Sequence, residues 1–157
     1  MRTKGFYGWF AAGLIALSVA FSSCRSDIVY SRFYTIPSGD WHADSVVRFD
    51  YRIDDAAADY RVLIYVRHTE RYPYQNMWLF VGDSLRRDTI EFYLADDRGQ
   101  WLGDTHHGFI EMPVLLDQNR RYASAGAYYI EVQHAMRDTL LRGITDVGVE
   151  IVKNGEE

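Results

Sequence analysis

Residues 46–53 read VVRFDYRI, and residues 60–67 read YRVLIYVR. In the first stretch apolar and charged side chains alternate, a period of two that is typical of a strand with one buried and one wet face. In the second stretch one face is wholly apolar and the other only half polar, which favours a central strand. The apolar alternating positions are Val47, Phe49, Tyr51 and Ile53 in the first stretch and Tyr60, Val62, Ile64 and Val66 in the second.

Strand signals continue on both sides of this pair. The further segments lie near 28–36 and at 77–81, 89–94, 109–116, 127–133 and 147–152. About eight short strands separated by turn signals predict an all-β fold, a single antiparallel β-sandwich that is jelly-roll-like, over residues 31–153 with a tail at 154–157. The best helix candidate is short, at 136–141. Gly143 is expected to take a positive φ in a fold-defining turn, and Ile144 to enter the core.

The N-terminus has the pattern of an export signal. A short positive region is followed by an apolar run that is shorter than the roughly 20 residues needed to span a bilayer comfortably. Residues 21–27 read FSSCRSD, and the small Ser22 and Ser23 before Cys24 resemble a bacterial lipobox, with Phe21 where leucine is commonest. We therefore predict a lipoprotein signal peptide at 1–23, an acylated Cys24 and a short tether over 24–30. The alternative is a plain signal anchor.

Acylation of Cys24 would use the only cysteine of the chain. The exported domain would then have no disulfide and no thiol chemistry, and it would depend on its core for stability. Each buried CH₂ of an acyl chain adds about 0.8 kcal/mol of membrane affinity, so several chains hold a domain durably at a membrane. We expect no cofactor, and the lipid on Cys24 is a covalent modification.

Charge and motifs exclude several classes of function. The formal net charge is −5, and removal of residues 1–23, which carry Arg2 and Lys4 and no acid, makes it about −7, unlike a nucleic-acid-binding protein. No HExxH, GxSxG or P-loop occurs. His106 and His107 beside Asp104 fit an exposed loop better than a metal site, because adjacent strand residues point to opposite faces. For Arg67 and His68 near Glu70, an exposed strand end with a charge pair is the preferred interpretation over acid–base catalysis.

Aromatic residues are the best candidates for contact. Five of them lie in or near predicted loops and strand ends: Trp41, Tyr72, Tyr74, Trp78 and Trp101. The last four are the predicted contact residues. Such rings stack on sugar faces in carbohydrate-binding sandwiches and act as anchors in protein interfaces, and they also serve as buried plugs. The sequence leaves these three uses open.

A short pattern of Asp, then Ser or Thr, then an apolar residue recurs in the chain. It is similar to an O-glycosylation sequon and also arises as a turn leading into a strand. The hydroxyl residues are Ser45, Ser84, Thr89 and Thr139. We predict that some of them carry glycan.

Three longer segments carry a family resemblance. They are RHTERYPYQNMWLFV (67–81), DRGQWLG (97–103) and GAYYIEVQHAMRDTLLRGITDVGVEI (126–151), to which 34–41 also fits. In this order, and with the lipobox, they resemble the GldH family of gliding-motility lipoproteins of the Bacteroidota. Members occur in species not known to glide, and no catalytic residues are carried over.

The resemblance implies a required part of a cell-envelope machine that is linked to type IX secretion. We expect a non-enzymatic structural or assembly component, with other gliding or type IX secretion envelope proteins as partners and the membrane bound through Cys24. An aspartate directly after the cysteine and an acidic cluster are both absent, so we expect the periplasmic face of the outer membrane. The alternative is a carbohydrate- or peptidoglycan-binding sandwich; an envelope hydrolase would need two carboxylates converging in a cleft.

The intact mass of the protein purified from its native host tests both modifications. We expect the mass of residues 24–157 plus acyl groups plus glycan. The Cys24→Ala variant should lose the acyl mass, whereas Ser23→Ala, which keeps the cysteine and a small residue before it, should retain it. A mass that accounts for polypeptide and lipid alone would contradict the glycan prediction.

Overall fold

A computed structural model describes residues 27–83 and 86–155. Eleven strands and one three-residue 3-10 turn, Pro37–Gly39, account for the regular structure in this part of the chain, which contains no α-helix. The strands are β1 Ile28–Thr35, β2 Asp40–His42, β3 Val47–Ile53, β4 Tyr60–His68, β5 Asn76–Asp83, β6 Arg87–Tyr93, β7 Asp104–His106, β8 Phe109–Arg120, β9 Gly126–His134, β10 Leu140–Arg142 and β11 Ile144–Lys153.

The strands form two main sheets. The first has the order β1-β11-β4-β8-β7 and the second β3-β9-β5-β6, while β10 and β2 make a separate pair. All pairs are antiparallel. If the three-residue strands are set aside, the eight long strands alternate between the sheets along the chain, except for the β5–β6 hairpin. This is the arrangement of a double-sheet jelly roll, and it confirms the predicted fold class.

In both stretches that predicted the fold, the burial of the side chains alternates along the strand as expected. Along β3 the burial alternates strictly, and along β4 every second side chain, from Tyr60 to His68, is buried. The inner faces of the two sheets contribute to one apolar cluster. Its centre lies on β4 and β11, where Val62, Ile64, Val66 and Val147 are withdrawn completely from water.

Two predicted boundaries differ in the structure. β1 begins at Ile28, before the predicted domain start at residue 31, because Lys153 N–H donates to the carbonyl of Asp27 and extends the sheet. The best helix candidate, 136–141, does not form a helix. Ala43 N–H donates to the carbonyl of Thr139, and the chain then enters β10, so these backbone groups serve a strand pair.

The turn at Gly143 is built as predicted. Gly143 has φ +82°, its N–H donates to the carbonyl of Gly39, and its carbonyl accepts from Thr69 N–H. A Cβ at this position would lie 2.5 Å from the backbone nitrogen of Tyr72, so only glycine fits. Ile144, the next residue, is fully buried.

The sandwich has two distinct ends. β1 starts at the end where the 54–59 loop and the end of β11 lie, since Asn154 N–H donates to the carbonyl of Asp59. We call this the N-terminal end. The opposite end, called the far end, carries the loops 36–46, 69–75, 94–108 and 135–143. Cys24 lies outside the described residues. Among residues 27–83 and 86–155 no helix is long and apolar enough to cross a membrane.

Substitution of Gly143 tests the turn. Gly143→Ala should lower the free energy of unfolding by about 3 kcal/mol, because it adds left-handed strain of about 1–2 kcal/mol to a backbone clash. Gly99→Ala is the matched control: Gly99 also has a positive φ, but a Cβ added there would have no atom within 4 Å. Gly99→Ala should lower the free energy of unfolding only by the strain, about 1–2 kcal/mol. Urea unfolding measures both, and equal losses would contradict the close approach to Tyr72.

Candidate functional site

The outer face of β5 carries two large exposed rings. Met77, Leu79 and Val81 point into the core, so the alternation turns Trp78 and Phe80 outward. Their exposed fractions are 38% and 39%. Two residues of a strand span about 6.6 Å, so the two rings are near neighbours along β5. An exposed pair of large rings makes this face a candidate contact site.

A groove lies beside Trp78 at the far end. Its volume is about 450 Å³, and its lining is Tyr74, Asn76, Trp78, Ala135, Met136 and Arg137. The chain after β9 forms one wall, where Ala135 N–H donates to the carbonyl of Trp78 and Trp78 N–H contacts Met136 Sδ at 3.3 Å. We call the surface of Tyr74, Trp78 and Phe80 the aromatic face.

Polar side chains frame the aromatic face. Trp78 lies opposite Glu91 on β6, and Asn76 Nδ2 donates to Glu91 Oε1 over 2.7 Å. Phe80 lies between Thr89 on β6 and Gln133 on β9. The rings are therefore edged by groups that donate and accept hydrogen bonds.

Tyr72 supports the aromatic face from below. It is buried, donates its hydroxyl hydrogen to the carbonyl of Asn76 over 2.7 Å, and packs edge-on against Tyr74 at 5.9 Å. Burial raises the pKa of Tyr72. Tyr74 is 38% exposed and donates to a carboxylate oxygen of Asp138, a bond that raises its own pKa. Of this pair only Tyr74 is accessible to a partner.

Trp101 lies away from the aromatic face. It is half-buried, its ring centroid is 4.7 Å from that of His68, and it packs against the core. The structure thus brings together three of the four predicted contact residues, of which Tyr74 and Trp78 are exposed and Tyr72 is buried. Phe80 was missed, although the alternation of Met77, Leu79 and Val81 would have placed it outward.

The half of this sheet face nearer the N-terminal end is charged. Arg48 donates to Asp50 and to Glu131, and its guanidinium lies 3.7 Å from the ring centroid of Tyr129. These charges satisfy one another. On this sheet face, the apolar surface that the described residues offer to a partner therefore lies in the half nearer the far end.

The interpretation of residues 67–70 as an exposed charge pair is wrong. His68 continues the inner series of β4 and is fully buried against Tyr72 and Trp101. Arg67 points to the other face, where it donates to Glu111 over 2.6 Å. The period of β4 already placed His68 on the buried side, a signal that sequence reasoning did not use.

His106 and His107 are exposed, on β7 and in the turn after it. Within 27–83 and 86–155 no group of three or more His, Cys, Asp or Glu side chains is arranged to hold a metal ion.

A second cleft, of about 600 Å³, lies at the N-terminal end and contains two carboxylates. Asp55 accepts from Lys153 Nζ at 2.8 Å, and Asp59 accepts from Arg121 Nε at 2.7 Å. These hydrogen bonds lower the pKa of both carboxyl groups. Neither is suited to donate a proton at neutral pH, as one acid of a glycoside hydrolase must.

Similarity to known proteins identifies the family of the chain. A family model described as GldH lipoprotein matches residues 28–151, which run from β1 into β11. The chain belongs to the GldH lipoprotein family. It is 31% identical over 148 residues to the gliding motility lipoprotein GldH homolog of Christiangramia forsetii, covering 87% of this chain and 90% of that protein. It is 27% identical over 150 residues to the gliding motility lipoprotein GldH of Flavobacterium johnsoniae, covering 88% and 92%.

Among solved structures, the crystal structure of dimeric latent PorU from Porphyromonas gingivalis matches 82% of this chain and 13% of that chain. The TM-score is 0.37 and the identity 9%. At these values the likeness supports no conclusion about this GldH family member.

The predicted modification sites of this GldH family member lie mostly in the described part. Ser45, Thr89 and Thr139 are exposed. Ser84 and Cys24 lie outside the residues that the structure describes.

The buried histidines predict a loss of stability in acid. Burial lowers the pKa of His68 and His134 from 6.5, so the unfolded chain binds more protons than the folded one as the pH falls below 6.5. The free energy of unfolding should therefore fall with pH, by at most about 1.4 kcal/mol per pH unit for each histidine. Urea unfolding across this range measures it.

The control separates these histidines from other titrating groups. The double variant His68→Leu with His134→Leu should show a flatter slope below pH 6.5 than the wild type. An unchanged slope in the double variant would contradict the assignment.

Proposed function

We propose that this GldH family lipoprotein is a non-enzymatic structural or assembly component of the gliding-motility machinery associated with type IX secretion. Acyl chains on Cys24 hold it at the periplasmic face of the outer membrane, and envelope proteins dock on the aromatic face. The observation that carries this proposal is the exposure of Trp78 and Phe80 side by side on β5.

The composition of the aromatic face supports a protein partner. Aromatic residues dominate interface hot spots, and such residues are most effective inside a polar rim that excludes water. Trp78 and Phe80 supply the anchors, and Asn76, Glu91 and Gln133 supply rim groups. Met136, beside Trp78, adds a flexible side chain that adapts to a partner surface.

The position of the aromatic face also supports docking in the periplasm. From Cys24 to Ile28 an extended chain spans at most about 14 Å, so the N-terminal end of the sandwich stays close to the bilayer. β5 starts at the far end, about 26 Å along the strand direction from the N-terminal end. Tyr74 and Trp78 are therefore held away from the lipid and open to soluble or membrane partners.

The state of the reactive side chains supports a role without catalysis. His68 is buried, and the two carboxylates of the N-terminal cleft are held in ion pairs by Lys153 and Arg121. These groups are used for packing and for charge neutralisation. None of them is placed beside the aromatic face, where a ligand would bind.

A specific observation also favours a second candidate, the binding of carbohydrate or peptidoglycan. Trp78 presents a ring of the kind that stacks on a pyranose, and polar side chains, Asn76 and Glu91, lie beside it. Binding of sugar alone, with no protein at this face, would favour the second candidate over the first.

Glycan on the hydroxyl residues is part of the same proposal, and the exposure of Ser45, Thr89 and Thr139 supports access by a transferase. Thr89 lies opposite Phe80 across the β5–β6 pair. A glycan on Thr89 would stand on the aromatic face and compete with docking. Ser45 and Thr139 lie at the far end, off β5 and β6.

The double variant Trp78→Ala with Phe80→Ala tests the proposal. Lipidated protein cross-linked in its native host should lose at least tenfold of its yield with gliding or type IX secretion components, because hot-spot truncations cost about 2 kcal/mol or more each. Quantitative mass spectrometry measures the yield. Leu115→Ala is the control, since Leu115 is 52% exposed on β8 of the other sheet, and it should leave the yield unchanged.

Thermal unfolding of the same variants checks that the fold persists. Unchanged cross-linking in the double variant would contradict the proposal. Loss of bound glycan fragments, with protein cross-links retained, would favour the sugar-binding candidate.

A further inference from the structure

The edge of the first sheet at β1 is open. β1 pairs with β11 on one side, in a register without interruption from Tyr30 to Thr35. No strand of the described chain pairs with its other side. Seven of its eight residues are exposed, so the unpaired side faces solvent. An edge of this kind presents a row of free backbone donors and acceptors.

The hydrogen-bond pattern identifies which groups are free. Ile36 N–H donates to the carbonyl of Thr145, in the same register as the β1–β11 pairs. Antiparallel partners alternate between bonded and non-bonded pairs. The backbone groups of Tyr30, Arg32 and Tyr34 therefore point to β11. Those of Ser31, Phe33 and Thr35 point away from the sheet and have no partner among the described residues.

The other edges of the two sheets are protected, and β1 is not. β7 has three residues and pairs only with residues 109–111 of β8, and the rest of the β8 edge is interrupted by Pro113 and by register shifts against β4. The outer residues of β3 and β6 include alternating charges, such as Arg48 and Asp50 on β3. Short edges, prolines and charges are the usual devices against edge-to-edge pairing. β1 has no proline or lysine and a single charge, Arg32.

The side chains of β1 are suited to a partner strand. Four apolar ones are between 37% and 49% exposed: Ile28, Val29, Phe33 and Tyr34. Phe33 packs over Gly148, where a Cβ would come within 2.6 Å of its ring, and the Arg67 guanidinium lies 3.7 Å from the ring centroid. These contacts fix the Phe33 side chain on the outer face of the first sheet. Arg32 has no ion pair within the described residues.

We propose that β1 accepts an extended segment of another envelope protein, which adds as a strand to the first sheet beside Ser31, Phe33 and Thr35. Backbone hydrogen bonds supply the affinity, as in other cases of strand addition. The segment carries an apolar residue opposite Tyr34 and, two residues away on the same face, a carboxylate opposite Arg32. This site is separate from the aromatic face on the second sheet.

A second copy of this chain fits the edge less well, an argument that rests on the proposed anchor at Cys24. Two β1 strands related by a two-fold axis would run antiparallel. The N-terminal end of one copy would then lie beside the far end of the other. Both chains could not bring Cys24 to the same membrane with their strands upright, so a segment of a different protein is the occupant.

The test places a photo-cross-linking residue, p-benzoylphenylalanine, at position 31 or at position 35 of the full chain in its native host. These positions are about 13 Å apart along the strand. We expect both to link to one contiguous segment of one protein, at residues about four apart. Links that scatter over unrelated surfaces, a link to a second copy of this chain, or no link from either position would overturn the proposal.

A proline substitution tests the backbone contact itself. Ser31→Pro removes an outward N–H and no bond to β11, so the fold tolerates it as edge strands do. With the cross-linker at 35, it should lower the yield at least tenfold, while Ser31→Ala, which keeps the N–H, should not. Equal yields from the two variants, with equal melting temperatures, would overturn the proposal.

The two proposals fail separately. If β1 links to one segment of one protein while the double variant Trp78→Ala with Phe80→Ala keeps its cross-links to the machinery, strand addition stands and the proposed function falls. If Trp78 and Phe80 bind the machinery while β1 links to nothing, the reverse holds.

Discussion

The inner face of β4 is the constraint on which the structure depends. Its side chains at every second position are withdrawn from water, and β4 lies at the middle of the first sheet between β11 and β8. Burying a Val or Ile side chain contributes about 1.5–3 kcal/mol, so three such residues on one strand fix which face turns inward. A slip of one residue would expose Val62, Ile64 and Val66 together. The same register places His68 under Tyr72, and Tyr72 under Tyr74.

The period of the sequence predicted the strands, because alternation is a local property. It identified the eight long strands and the glycine at position 143. Pairing order could not be predicted in this way, because pairs such as Thr35 with Asp146 join segments that are distant in the sequence. The helix expected at 136–141 failed for the same reason. The backbone groups of this segment hydrogen-bond to β2 and to the loop that follows β2. Local propensity carries no information about such distant partners.

The candidate site could be predicted in part. Trp78 was identified by its type, and its outward direction follows from the burial of Met77 and Leu79. Tyr72 and Trp101 look equivalent to it in the sequence, yet one supports Tyr74 from below and the other packs on His68. Whether a loop aromatic is an anchor or a plug depends on what the far end of the fold places against it. That information lies in distant residues.

The jelly roll separates its tasks in space. The N-terminal end neutralises its own charges, the far half of the second sheet presents apolar rings, and β1 leaves backbone groups open on the first sheet.

Oxidative footprinting of side chains tests the central claim most directly, by comparing lipidated protein in intact envelopes with protein purified in detergent. The account predicts that Trp78, Phe80 and Met136 are protected in the envelope while Leu115, on the outer face of the other sheet, reacts equally in both. Equal oxidation of Trp78 and Phe80 in the two samples would contradict it.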